Sequence, residues 1–415
     1  MGERRLFARR IAGRVALSLT SMALVLLVAE FALRKSGGER IVCPSWASEA
    51  ARLRQEGLPA FPFFNPQLSF DTDLLTPLPD VLTVEGWEAG RFIVYQADEN
   101  GFKNPPGRYR GGQRLGLFVV GDSFAAARSV ELEDAWYHRL GVETGLAAYS
   151  AGVGGNGPLQ SLAVYERYGV PRRPHFLIWE FYANDFLDVV RTSELCNPHL
   201  NQRVPEELRE HPLCDDFSTR ARIGSHEELK ARWLASVPPG PPRRPALRLQ
   251  EWIEGIAEKR KAVRGYEDYV DRFEVDEAER EIAFLALERA LELAHGSGTR
   301  MVLTYFPNPR RLFGDDFQAS REDNPRRLLL AEFARSRGIA FLDLTDALAV
   351  GDPYGHFFWR ECLGDHGHLN ELGNRVAAEA IASFLKEDPG LSSELAVAVR
   401  GSGGASGADR AVPVP

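Results

Sequence analysis

Four short blocks in this chain carry the residue types that acyl transfer needs. They are Gly121-Asp122-Ser123-Phe124, Gly152-Val153-Gly154-Gly155-Asn156-Gly157, Asn184-Asp185 and Asp365-His366-Gly367-His368. A serine hydroxyl is a weak nucleophile until an imidazole removes its proton, and a carboxylate holds that imidazole in the right tautomer. Ser123 supplies the hydroxyl, and Asp365 lies three residues before His368, one helical turn away. The oxyanion of a tetrahedral intermediate needs fixed donors, such as a glycine N–H in a tight loop or an Asn side-chain amide. Each such donor is worth about 10²–10³ in rate. Singly, every block has a plainer reading. G-D-S fits a strand-to-helix turn, the glycine run is a turn without the G-x-G-x-x-G of a dinucleotide site, and Asn-Asp is a common turn pair. His366 and His368 could ligate a metal, but no third ligand accompanies them, so neither metal nor cofactor is expected. In this order, three of them just after an apolar run and the fourth before the last helix, the four blocks together favour chemistry.

The elements that must position them follow from hydrophobic periodicity. Leu115–Val120, Leu146–Tyr149, Phe176–Phe181, Met301–Phe306 and Ile339–Leu344 read as five strands. The best helix runs from about Asp276 to His295, with Phe284, Leu287, Leu291 and Ala294 on one face and Gly296 at the expected stop. Asn370 can cap a last helix whose Leu372, Val376, Ala380 and Phe384 share a face. Strands alternating with helices imply an α/β domain, a parallel sheet covered by helices on both faces. In such a sheet ligands bind at the carboxyl ends of the strands, where the four blocks fall. The stretch 36–112 reads as an N-terminal extension with a strand or two, and 113–388 as the α/β domain. Residues 186–275 form an insertion marked by Pro238, Pro239, Pro241, Pro242 and Pro245. It reads as a helical cap, and because it leaves the third strand beside Asn184 it is expected near the acyl pocket. Residues 389–415 read as a disordered tail.

The order G-D-S, glycine, N-D and D-x-x-H resembles the SGNH (GDSL-type) hydrolase superfamily, over roughly Leu115 to Leu385 outside the insertion. The resemblance implies a flavodoxin-like three-layer α/β/α domain with a five-stranded parallel sheet. It also implies Ser123 as nucleophile, His368 as base and Asp365 as the residue orienting His368. The implied oxyanion hole consists of the Ser123 N–H, the Gly155 N–H and the Asn184 side chain, with Gly152 and Gly154 as close competitors of Gly155. Glu99-Asn100-Gly101-Phe102 is similar to the lead-in of membrane-anchored bacterial members. Two positions depart from the pattern: Tyr182 stands where many members have Gly, and Ser150 where many have Asn.

Composition and the N-terminus bound the setting. A chain of 415 residues with 44% hydrophobic and 26% charged residues is globular in profile, which excludes wholesale disorder and fibrous designs. Its net charge of −8, without basic clusters in the body, excludes a general nucleic-acid binder. Arg4, Arg5, Arg9, Arg10 and Arg14 precede a largely apolar run from Val15 to Leu33 whose only charge is Glu30. As a helix that run spans about 28 Å, close to one bilayer core. Residues 1–35 therefore read as a cytoplasmic arginine-rich start and a single inner-membrane anchor, with the catalytic domain in the periplasm; a cleaved signal peptide is the competing reading. Export would permit disulfides among Cys43, Cys196, Cys214 and Cys362, with Cys196–Cys214 closing a short loop. The expected activity is hydrolysis of acyl esters, including O-acetyl groups, on an envelope glycan or lipid. An O-acyltransferase of the same fold is the alternative, since both run through an acyl-serine; a non-catalytic glycan-binding envelope protein is a third. A reporter fused after Leu33 should be active only in its periplasmic form. Activity of a cytoplasm-dependent reporter there would end the anchor reading.

Overall fold

The computed structural model describes residues 46–64, 75–88, 91–110, 114–191, 197–209, 225–237, 275–312, 325–351, 353–357 and 367–402. The apolar run Val15–Leu33, the four cysteines, Asp365 and His366 lie outside these residues. No helix among the described residues is long and apolar enough to cross a membrane.

A five-stranded, all-parallel sheet forms the centre: β4 (Leu117–Val120), β5 (Ala148–Ser150), β6 (Phe176–Tyr182), β7 (Arg300–Phe306) and β8 (Ala340–Asp343). Their spatial order is β5-β4-β6-β7-β8. The first strand of the sheet therefore lies between the second and the third, so the chain reverses direction across the sheet at β4. A crevice opens at such a switch point. β4 pairs with both β5 and β6, which brings the ends of all three strands together. Helices α2 (Trp136–Thr144), α3 (Pro158–Val164), α6 (Glu277–Ser297), α7 (Pro325–Arg337) and α8 (Glu371–Glu387) cover the sheet. β6 is buried along its whole length, as a central parallel strand must be, yet it carries a carboxyl at Glu180.

Local sequence explains the ends of the elements. Asp276 caps α6 in a reciprocal arrangement with Glu279. The helix runs past Gly296 and stops at Gly298, whose φ of 66° and N–H to the Ala294 and His295 carbonyls make the left-handed cap. Asn370 caps α8 by accepting from the Gly373 N–H.

The chain before the sheet is more than a strand or two. Helix α1 (Trp46–Gln55) packs on a three-stranded sheet of β1 (Ala60–Pro62), β2 (Leu82–Glu88) and β3 (Arg91–Gln96). Within the insertion, the described pieces are all helical: the end of α4 (Asp185–Arg191), turns at Pro198–Asn201 and Glu206–Leu208, and α5 (His226–Ser236). Leu229 of α5 packs with Phe61, Leu78, Val81 and Tyr95, so this piece of the insertion rests on the N-terminal sheet.

The expected tail is corrected in part. Residues 389–402 form helix α9 (Pro389–Ser402), which buries Leu391, Leu395 and Ala398 against the main core. Spacings of four and three put those three side chains on one face, a pattern that outweighs the Gly/Ser-rich composition. Burying one leucine fully is worth about 1.5–3 kcal/mol.

A buried ion pair inside the N-terminal unit ties that unit to the sheet through its lysine. Lys103 Nζ lies 3.1 Å from Glu85 Oε2 of β2, with both side chains almost completely buried. The same ammonium donates to the Ala127 and Val130 carbonyls at 2.7 and 3.0 Å, in the loop that follows Ser123. Removing one partner of a buried pair leaves a charge without compensation, at a cost of about 3–5 kcal/mol. Lys103→Met should therefore lower unfolding free energy by about that amount in denaturant titrations. Adding Glu85→Leu should restore much of the loss; additive losses would show that the pair is not the link.

Candidate active site

The hydroxyl of Ser123 and the imidazole of His368 meet. Ser123 Oγ is 2.9 Å from His368 Nε2, and both residues are buried. They come from opposite ends of the domain: Ser123 follows β4, and His368 precedes α8. Phe124 is next to Ser123 and packs its ring 5.4 Å from the His368 ring. Tyr182, the residue where a glycine is common, stacks on Phe124 with centroids 4.3 Å apart. The larger residue is thus absorbed as an aromatic floor beneath the imidazole.

The loop after β4 is held from several directions. Gly121 has a φ of 147°, and a Cβ there would lie 2.3 Å from the Glu180 carboxyl. Only glycine lets Glu180 Oε2 accept the N–H groups of Asp122 and Ala125, at 3.1 and 3.2 Å. Asp122 Oδ1 accepts the Phe124 N–H at 2.8 Å, and Trp136 Nε1 donates to the Phe124 carbonyl at 2.7 Å. Ser150, standing where an Asn is common, donates its hydroxyl to the Ala125 carbonyl and accepts the Gly152 N–H. It therefore ties the nucleophile loop to the glycine loop. Asn104 brackets Ser150 by accepting its N–H at 2.9 Å and donating to its carbonyl at 2.8 Å.

The three glycines differ in role. A Cβ on Gly152 would lie 2.5 Å from the backbone of Ala126, so Gly152 lets the two loops touch. Gly154 faces Ser123, whose Cβ lies 3.7 Å from where a side chain on Gly154 would start. Gly155 takes a φ of 83° and makes the turn itself. Asn184 is buried at the head of α4 and donates Nδ2–H to Asp188 Oδ2 at 2.8 Å. That bond fixes which way the amide faces and leaves Nδ2 a second N–H to donate.

Comparisons with known proteins add the following. No family model and no curated protein matches the chain. Among solved structures, a lipolytic protein of the G-D-S-L family from Desulfitobacterium hafniense aligns at 11% identity and a TM-score of 0.35, covering 65% of this chain and 99% of that one. TesA aligns at 14% identity and a TM-score of 0.34, covering 65% and 97%. A two-domain esterase active on acetylated mannans aligns at 13% identity and a TM-score of 0.33, covering 69% and 52%. The chemistry of this chain has to be read from its own residues.

Acidic groups crowd beneath Ser123. Asp122, Glu180 and Asp185 are buried, and burial pushes all three carboxyls upward. Asp122 is pushed up to about 6. After burial, the neighbouring Asp122 charge is what raises Glu180, and the Asp122, Glu180 and Asp188 charges raise Asp185 further. Like charges this close oppose one another's ionisation, which adds to burial in holding the Glu180 and Asp185 carboxyls well above the ordinary carboxylate range. Asp122, Asp185 and Asp188 each bring an oxygen within 4.8 Å of the others, the one grouping among the described residues that could hold a metal ion. Glu180 and Asp188 were not singled out from the sequence. The signal for Glu180 was present, a lone acid in the apolar run Phe176–Phe181. That for Asp188 was its place four residues after Asn184, on one face of a helix.

Asp98, under the glycine loop's Asn104 support, is also raised by burial to about 6. For Asp98 and Asp122 the folded state holds the proton more tightly than the unfolded chain does. Their stabilising share is complete below about pH 4 and is lost as pH rises through about 6. Denaturation midpoints should fall over that window, and Asp122→Asn, which keeps an acceptor for Phe124, should flatten the fall. A profile for Asp122→Asn parallel to that of the wild type would assign the slope to other groups.

Proposed function

We propose that this chain is a serine ester hydrolase acting on acyl, including O-acetyl, groups of an envelope glycan or lipid, anchored by residues 15–33 to the inner membrane with its site on the periplasmic side. The observation that carries the chemistry is the 2.9 Å contact between Ser123 Oγ and His368 Nε2 at the switch point of the sheet. His368 Nε2 takes the Ser123 proton as Oγ attacks the acyl carbonyl carbon. The oxyanion that forms is met by the N–H groups of Ser123 and Gly155 and by the Asn184 amide, which Asp188 orients. Collapse of the intermediate expels the alcohol, which leaves with the proton from His368. Water then repeats the sequence on the acyl-serine and releases the acid. Asp365 is assigned the role of orienting His368 through its other nitrogen.

The full chain, purified in detergent and assayed on short acyl esters, tests this reading. Ser123→Ala and His368→Ala should each lower kcat by at least about 10³-fold with the fold retained. Asp365→Asn should be as damaging or milder, and His366→Ala should keep most activity. Equal turnover by the wild type and Ser123→Ala would remove the serine mechanism.

A further inference from the structure

Beside Ser123 stands a cation, Arg128, that makes no salt bridge among the described residues. Arg128 is five residues after Ser123, and its N–H donates to the Ser123 carbonyl at 3.0 Å. Its Nη1 lies 3.8 Å from the point where a side chain on Gly154 would start, and Ser123 Cβ lies 3.7 Å from the same point. The guanidinium therefore borders the space in front of the serine. Among the described residues it makes no salt bridge, and its buried Nε has no hydrogen-bond partner. Its guanidinium carbon lies over the ring of Trp46, 5.3 Å from the centroid. Trp46, at the start of α1, is 38% exposed. A guanidinium is always charged and offers donors in a planar fork that matches a carboxylate. Held against an indole, it loses little further freedom when an anion docks.

We infer that Arg128 and Trp46 form a subsite for an acidic sugar, so that the acyl group removed at Ser123 sits on a saccharide unit carrying a carboxylate, of the uronate type. This rests on the hydrolase reading above and narrows its substrate. The fork of Arg128 would take the carboxylate, and the exposed part of the Trp46 ring offers the apolar surface that pyranose C–H bonds lie on. Arg128 also faces the buried Asp122, whose charge it favours. A role confined to that support would change turnover of every ester alike. The discriminating quantity is therefore a ratio.

The test uses the full chain in detergent with matched substrates: the O-acetylated methyl glycoside of glucuronic acid, that of glucose, and a short-chain phosphatidic acid. Wild type should show kcat/KM at least tenfold higher for the uronide than for the glucoside. Arg128→Gln should bring that ratio to within about twofold of one, whatever the two absolute values do, and Arg128→Lys should recover only part of it. A wild-type ratio near one, or an Arg128→Gln ratio equal to that of the wild type, overturns the subsite. An Arg128-dependent preference for phosphatidic acid over the uronide overturns the saccharide assignment. If Ser123→Ala still hydrolysed all three, the hydrolase reading itself would fail, an outcome separate from these.

Discussion

The turn that carries Ser123 rests on a buried carboxyl. Glu180 stands in the middle strand of the sheet, every residue of which is buried, and its Oε2 accepts two N–H groups of the loop after β4. Burial pushes this carboxyl well above the ordinary carboxylate range, and the two backbone bonds it accepts offset part of the cost of burying it. The arrangement also requires Gly121, since any Cβ at that position would collide with the acid. Ser123 is thus presented by a backbone whose donors are satisfied from below, leaving its hydroxyl turned toward His368.

The N-terminal unit is part of the site's support and not a decoration. Lys103 gathers Glu85 and two carbonyls of the nucleophile loop at one point. Asn104, one residue on, brackets Ser150 and receives no solvent in exchange, being fully buried. Its amide also donates to Asp98, which accepts the Asn100 and Phe102 N–H groups and so shapes the Asn100-Gly101-Phe102 lead-in. The two positions that depart from the SGNH pattern are compensated locally: Ser150 by the bracket from Asn104, and Tyr182 by stacking on Phe124. Both compensations act through space on the same two loops. Such couplings tie the loop that carries Ser123 to the glycine loop and to the N-terminal unit.

Much was legible in the sequence because it was written in local pattern. Five apolar runs gave five strands, each within about two residues of its observed ends, and their alternation with amphipathic helices implied a parallel sheet. The places of Ser123, the glycine loop and Asn184 at the carboxyl ends of three of those strands followed from the runs themselves. Helix α9 was legible too, had the spacing of Leu391, Leu395 and Ala398 been weighed above composition.

What only the tertiary structure decided is which distant residues meet. The 2.9 Å approach of His368 to Ser123 spans 245 residues of chain. Nothing in local periodicity encodes that distance; it arises because the strand order sets β4 between β5 and β6 and α8 packs back against α2. The same holds for Glu180 beneath Gly121, Lys103 beneath the nucleophile loop and Arg128 against Trp46. In the sequence these are single charged residues with no partner nearby. Burial gives each its meaning, because only in a low-dielectric interior does a charge have to be paired, protonated or put to use.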